Sequence, residues 1–492
     1  MLNFIDRLLE RMRQPDEAPA IMFEGQTFDW GAVRHAGQRL EELLEQAGID
    51  DMQTVGVLSR NRPGHAAAIL NVIGSGRSLS IIYTMQSSEG IARDIRKLKL
   101  PAIIGAREDW SADAIAAARE TGSAALSLLS REELALELLS EAPRADAGLL
   151  RTSPKPLTLA LLSSGTTGMP KRIDFPQSVL DRMLDTMAVG DRPGDIPHPE
   201  INFFPLSGMG GMTPFLASIC RAGSVCLLER YRLDDWLAAI AQFRPRIIVM
   251  LPAIIREVLD KQIPRSAFGS IKIVWGGSAP LDPATQEEFE KTYDIPIIWG
   301  YGATEFAGTA ASWTPALREQ FGKTKAGSVG RPISGVSIRI VDPETGAELP
   351  PKEEGLLEAR IPALSNDWIR TTDLAMMDQD DFVFLRGRAD QAIIRGGFKV
   401  LPETIADALL EHPAVRDAMA CGIADRRLGQ VPIAAVELKE ESPDTGEEEL
   451  LSFLRSRLVT YSIPTRVHIV PRLPRTGNMK ASVAALREML AE

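Results

Sequence analysis

The chain is poor in positive charge: 55 lysines and arginines face 66 aspartates and glutamates, leaving a formal net charge of −11 over 492 residues. Non-specific nucleic-acid binding needs cationic surface to displace condensed counterions, so that class is excluded. Cysteine is scarce. Cys220, Cys226 and Cys421 have no metal-ligand spacing and lie among apolar residues, which predicts buried free thiols. No uninterrupted apolar run is long enough for a membrane span. Residues 201–220 carry no charge, yet Pro205, Pro214, Gly208, Gly210 and Gly211 would leave backbone groups unsatisfied in lipid. A secretory signal is missing too: Leu2, Ile5, Leu8, Leu9 and Met12 recur at helical spacing among Asp6, Arg7, Glu10 and Arg11, the pattern of an amphipathic helix. No short-period repeat occurs. What remains is an ordinary globular composition, 45% hydrophobic and 25% charged, in a chain too long for a single core, so two or more domains and a cytoplasmic location are expected.

Short apolar runs alternate with helical patterns through Val55–Leu58, Ala66–Ile73, Leu79–Tyr83 and Pro101–Ile104, and again through Ser224–Leu228, Trp236–Phe243, Ile247–Leu251 and Ile271–Trp275. Strand-helix-strand alternation predicts a parallel sheet in a large layered α/β body. Residues 111–142, rich in Ala, Leu and Glu, read as two helices. After Lys325 the pieces shorten to Val336–Val341, Gly355–Ile361 and Phe382–Leu385 between Pro and Gly turns, a β-rich subdomain over about 325–388. From 389 to 492 the chain reads as a small α+β domain, with a hairpin through Val400, a helix over Pro402–Leu410, strands near Ala418 and over Val431–Leu438, and a helix over Glu447–Leu458. The expected architecture is therefore α/β: a body of 1–388 and a C-terminal domain of 389–492.

The apolar run Leu157–Leu162 predicts a buried strand, and behind it stand Ser163, Ser164, Gly165, Thr166, Thr167, Gly168, Met169, Pro170 and Lys171. Hydroxyls and backbone amides freed by two glycines can converge on an anion, and the lysine adds charge. The spacing is not that of the P-loop, because two residues separate the glycines and Arg172 follows the lysine. A phosphate cradle of another kind is predicted.

This loop closely resembles the signature of the adenylate-forming superfamily of acyl-CoA synthetases, peptide-synthetase adenylation domains and beetle luciferases. Further segments follow in the family's order. Gly276, Gly277, Ser278, Ala279 and Pro280 come after one predicted strand, and Tyr301, Gly302, Ala303, Thr304 and Glu305 after another, at strand exits where α/β sheets place ligands. The resemblance implies that the glycine turn contacts adenine, Tyr301 stacks on it, Thr304 holds the α-phosphate and Glu305 helps bind Mg²⁺. It implies that Asp373, in Trp368–Asp373, takes the ribose hydroxyls, as suits a carboxylate acting as a paired acceptor. It places Arg388 on ribose, Asp390 at an interdomain hinge, Gly396, Gly397 and Lys399 on a hairpin of the C-terminal domain, and Lys480 in the closing lysine motif. A flexible, desolvated point charge at Lys480 would bridge the substrate carboxylate and the α-phosphate.

Some positions depart from the family pattern. Gly208 stands where many acyl-CoA synthetases carry a histidine lining the acyl pocket, Met479 replaces a glycine before the final lysine, and Thr404 replaces an acid after Pro402. No acid occurs in 201–212, where amino-acid-activating relatives pair the substrate ammonium. The chain ends soon after Lys480, so no carrier domain is expected. The resemblance thus implies a carboxylic acid–CoA ligase using ATP, Mg²⁺ and coenzyme A on a small acid lacking an α-amine. Transfer to a carrier protein, an adenylating oxygenase or a nonenzymatic adenylate sensor are the alternatives. Phe203, Ser207, Gly208, Met209, Trp275 and Trp299 are expected around the acyl group. A homodimer stays open.

Overall fold

A computed structural model describes residues 3–49, 53–84, 86–131, 133–140, 157–162, 172–187, 198–277, 279–395, 398–442, 444–476, 479 and 481–490. They divide into two compact units, one running to Arg246 and the other beginning at Ile247.

The first unit is built on a seven-stranded sheet in the order Leu136–Ser140, Ala124–Leu128, Ala102–Ala106, Val55–Leu58, Leu79–Ile82, Thr158–Leu162, Arg172–Pro176. The five inner strands are parallel and the two edge strands antiparallel. Helices connect them as the alternation predicts. Pro63 opens one at its first turn, and the Ser87 and Ser111 side chains cap two more by accepting from Gly90 and Ala114. The inner strands Val55–Leu58 and Ala102–Ala106 are buried along their whole length, so they read as continuous apolar runs. A second sheet joins Glu200–Asn202, Val225–Leu227, Pro19–Phe23 and Gln26–Asp29.

One expectation fails in this unit. Among the described residues of the Ala-rich 111–142 stretch only Ala112–Thr121 is helical; Gly122, with φ of 69°, ends that helix, and Ala124–Leu128 and Leu136–Ser140 are strands. Helix propensity is a weak prior, and the fully buried slot beside Ala102–Ala106 accepts Ala and Leu as readily as β-branched residues.

In the second unit Ile247–Met250, Ile273–Gly276 and Ile297–Ala303 run parallel, and Gly308–Ser312 and Arg331–Pro332 extend the sheet antiparallel. An antiparallel meander follows: Ser337–Val341, Glu354–Ile361, Ser365–Met377, Val383–Arg388. The last sheet has the order Phe398–Val400, Ile393–Arg395, Gly429–Leu438, Val415–Asp425, with Val467–Ile469 parallel to Gly429–Leu438. Alternation along Val415–Asp425 and Gly429–Leu438 fills two apolar clusters. Ala418, Ala420, Ala434 and Val436 meet Ile405, Leu409, Leu450 and Leu454 on one side, and Met419, Cys421, Ile433 and Ala435 meet Leu473 and Leu486 on the other. Both clusters are drawn from residues after 392 alone.

The three cysteines are free and buried, and burial pushes the Cys220 and Cys226 thiols up to about 12. Among the described residues no helix is long and apolar enough to cross a membrane.

Candidate active site

The exits of the parallel strands in the second unit are shaped by close packing. Gly276 and Trp299 are register partners, and a Cβ on Gly276 would lie 1.9 Å from the Trp299 ring, so only glycine lets the indole cross that strand. The Trp299 Nε1–H donates to the Ala279 carbonyl at 3.2 Å and fixes the turn to the neighbouring strand. Trp275, on the same strand as Gly276, is half-buried. Tyr301, Gly302 and Ala303 do not follow a strand, as the sequence reading has it, but complete the strand Ile297–Ala303. Antiparallel pairing with Gly308–Ser312 extends it, with a register shift between Tyr301 and Gly302. Thr304 and Glu305 then sit on a 3-10 turn whose Phe306 is buried; Thr304 is half-buried and Glu305 exposed.

Asp373 lies in the middle of the strand Ser365–Met377 and directly opposite Arg388 in the ladder. Tyr301 Oη donates to Asp373 Oδ2, and burial together with that carboxylate pushes the phenol pKa far up, so the hydroxyl keeps its proton. Burial raises the Asp373 carboxyl, against Tyr301 and Arg388, while Asp390 and Glu305 add repulsion. Arg388 Nη1 stands 3.8 Å from Asp373, Nη2 donates to Thr372 Oγ1 at 2.6 Å, and Nε and Nη2 grip Asp390 at 2.9 and 2.8 Å. That pairing raises Arg388 and lowers Asp390. Tyr301, Asp373, Arg388 and Asp390 thus form one corner of hydrogen bonds and ion pairs, with the Glu305 charge within its field.

Two further residues complete this corner, and neither stood out in the sequence. Thr371 Oγ1 accepts the Asp373 amide and donates to the Leu357 carbonyl, fixing the strand beneath the carboxylate. Glu403, in the first turn of the helix Pro402–Leu410, lies against Gly387, whose φ is +130°. Its Oε2 is buried without a partner among the described residues, and burial first, then Asp407, raises the carboxyl to about 6.

In the first unit an isolated parallel bridge links Leu162, the last residue before the predicted phosphate loop, to Gly208. Leu162 N donates to the Ser207 carbonyl at 3.2 Å. Asn61, again unmarked in the sequence, pins this segment by donating to the Phe204 carbonyl at 2.8 Å and accepting the Leu206 amide at 2.9 Å. Phe203 is buried in a stack with Phe204, ring centroids 4.4 Å apart, and packs on Tyr231. Gly208 caps the helix Met209–Ala222, and a Cβ there would meet only the Leu162 carbonyl, at an ordinary 3.6 Å. Ser163, Ser164, Gly165, Thr166, Thr167, Gly168, Lys171, Ser278, Gly396, Gly397 and Lys480, with the Lys399 side chain, lie outside the described residues. Met479 is described, with φ of +61°, the left-handed region that glycine enters more readily than methionine.

Residues 8–366 match the family model for AMP-binding enzymes, and residues 404–480 that for the AMP-binding enzyme C-terminal domain. The chain is 25% identical to peroxisomal OPC-8:0-CoA ligase 1 of Arabidopsis thaliana, over 93% of this chain and 87% of that protein. It is 24% identical to 4-coumarate–CoA ligase 1 of Petroselinum crispum, over 95% and 90%. The crystal structure of ATP-bound MatB from Rhodopseudomonas palustris superposes with a TM-score of 0.82, covering 100% of this chain and 99% of that one at 21% identity.

Proposed function

We infer that the chain, which belongs to the AMP-binding enzyme family, is an ATP-dependent carboxylic acid–CoA ligase that works through an acyl-adenylate and releases pyrophosphate and AMP. The observation that carries the nucleotide assignment is the Tyr301–Asp373–Arg388 corner. A buried carboxylate held between a phenol and a guanidinium is a charged acceptor suited to a vicinal diol.

In this reading ATP, coenzyme A and the acid are substrates. The acid's carboxylate attacks the α-phosphorus, pyrophosphate leaves, and the thiol then attacks the acyl-adenylate and displaces AMP. Ser163–Lys171 holds the β- and γ-phosphates, Gly276–Pro280 with Tyr301 seats adenine, and Thr304 orients the α-phosphate. The donor set fits magnesium: Glu305 is one exposed carboxylate, and no described cluster of three or more acidic, His or Cys side chains forms a protein cage. Magnesium prefers one or two carboxylates completed by phosphate oxygens and water, and when bound it would neutralise phosphate charge. Lys480 offsets the charge growing between carboxylate and phosphorus. The domain of 389–492 then turns about Asp390, withdrawing Lys480 and bringing in the hairpin of Gly396, Gly397 and Lys399.

For the acid, relatives acting on 4-coumarate and OPC-8:0 support an aryl or medium acyl substrate, and the space at Gly208 supports a larger one than a histidine there would admit. The charge balance and free thiols suit the cytoplasm. Incubating aryl, short and medium acids with ATP and Mg²⁺, with and without coenzyme A, tests the reading. A thioester must appear with coenzyme A. Adenylate without thioester would favour a carrier protein as acceptor, and no pyrophosphate exchange with any acid would leave a nucleotide sensor.

A further inference from the structure

The segment that leads to Lys480 is tied to the helix Pro252–Asp260 through two neighbouring residues of one strand. Val415–Asp425 pairs with Gly429–Leu438 with a register shift between Val415 and Asp417. A bulge suspends strict alternation, so Arg416 and Asp417 can both reach the same helix. Arg416 stands 3.7 Å from Asp260 and pairs with Glu437, whose Oε1 accepts the Leu473 amide at 2.7 Å. Asp417 accepts from Arg256 Nη1 at 2.8 Å and from Arg475, and Arg475 Nη1 donates to the Met479 carbonyl at 3.1 Å. Two polar chains therefore run from one helix, one to Leu473 and the other to Met479, the residue that precedes Lys480 in the sequence.

This joint differs in kind from the interior of the C-terminal sheet. The apolar clusters on its two faces include nothing from the helix Pro252–Asp260. The Arg256 and Asp417 side chains are 12% and 11% exposed, buried enough for their pairing to count for more than a surface ion pair. Arg256 Nε and Asp282 Oδ2 are buried without a hydrogen bond among the described residues, and Asp282 Oδ2 lies 3.8 Å from Arg256 Nη2, so Arg256 keeps a second carboxylate beside it when the Asp417 pair opens. Arg475 also has local work: the Arg475–Ala481 bridge closes the loop, and its guanidinium holds the carbonyl of Met479 in a left-handed conformation that methionine adopts reluctantly.

We propose that Asp417 is a positioning residue for adenylation: by bridging Arg256 and Arg475 it fixes the loop that carries Lys480, and releasing the Arg256 pair frees that loop for the second half-reaction. The proposal rests on the ligase reading. Asp417→Asn and Arg256→Gln should each lower kcat for acid-dependent ATP–pyrophosphate exchange about tenfold. The double variant should lose no more than either single, because both cut one link. Thioester formation from supplied acyl-adenylate should hold within about twofold, a split that a general folding defect would not give. Asp417→Glu should recover most of the exchange. Additive losses, equal losses in both half-reactions, or unchanged exchange would overturn the proposal. Amide hydrogen exchange provides a readout independent of turnover: Leu473, Thr476 and Met479 should exchange faster in both variants while Leu409 and Leu454 stay protected, and unchanged protection of the loop overturns the proposal. A wild-type enzyme that exchanges no pyrophosphate with any acid would instead overturn the ligase reading.

Discussion

The Tyr301–Asp373–Arg388 corner, which we assign to ribose, and the Asp417 joint use the same side chains, arginine and aspartate, to opposite ends. In the corner Arg388 is committed to Thr372, Asp373 and Asp390, Tyr301 closes the other side of Asp373, and all of these except Asp390 stand on paired strands. In the joint Asp417 sits on a bulge between a helix and a loop, with buried polar atoms left over. Partners held on a ladder make a rigid receptor, and an ionic contact outside the apolar clusters makes a seam. The proposed mechanism of two half-reactions at one site calls for both, a nucleotide held still and a lysine that comes and goes.

The comparison breaks most sharply at the lysine. Lys480→Ala should slow adenylation by roughly 10²- to 10³-fold, as for one lost charge-stabilising donor, and spare thioester formation from supplied acyl-adenylate. Equal loss in both half-reactions would mean that the lysine serves the static receptor and that the seam has no separate role. On the other side, Asp373→Asn should raise the KM for ATP by roughly 10- to 100-fold, the loss expected when a charged acceptor becomes a neutral one. The rigid-receptor reading further requires both half-reactions to suffer, because the adenylate is held in each. An ATP KM unchanged by Asp373→Asn removes the corner from the site.

How much of this was legible beforehand depended on range. Strands such as Val55–Leu58 and Ala102–Ala106 announced themselves because buried parallel strands are short unbroken apolar runs. Asp373, Arg388 and Tyr301 were reached through the order of motifs, and the structure brings them together from 72 residues apart. The Ala-rich strand Ala124–Leu128 was hidden, because its composition favours helix and only the sheet beside it says otherwise. Asn61, Thr371 and Glu403 sit in unremarkable contexts, and their roles come from partners elsewhere in the chain. Arg256 and Asp417 are 161 residues apart, and no local pattern could pair them. Met479 was visible as a departure from the family pattern, but its left-handed backbone was not.

Gly387 tests the seam where it meets the corner. Its φ of +130° is poorly tolerated by any other residue, and a Cβ would lie 2.6 Å from Glu403 Oε2. Gly387→Ala should cost about 1–3 kcal/mol from the backbone alone. Denaturant melts should show it, and the double variant with Glu403→Ala should recover only the steric part. Complete recovery would mean that the backbone there relaxes freely, contrary to a rigid strand end.

The smallest effect is the most discriminating, because it carries a sign. Glu403 is buried beside Gly387 with one oxygen unpartnered, and its carboxyl is raised from 4.5 to about 6. Between those values the folded protein holds a proton that the unfolded chain has released, so this group's contribution to stability falls as pH rises from about 4.5 to about 6. Above that window the folded state carries the whole penalty of a buried charge, roughly 2 kcal/mol at most from about 1.4 kcal/mol per pH unit. Glu403→Gln removes the charge and keeps the shape. The variant should therefore be more stable than wild type at pH 7.5, with an advantage that shrinks on acidification and vanishes near pH 4.5. A pH-independent difference would show that Glu403 acts by packing alone. A variant less stable at pH 7.5 would show that the carboxylate finds a partner as the seam relaxes, and that the corner, with Arg388 at hand, reaches further across the hinge than its static contacts indicate.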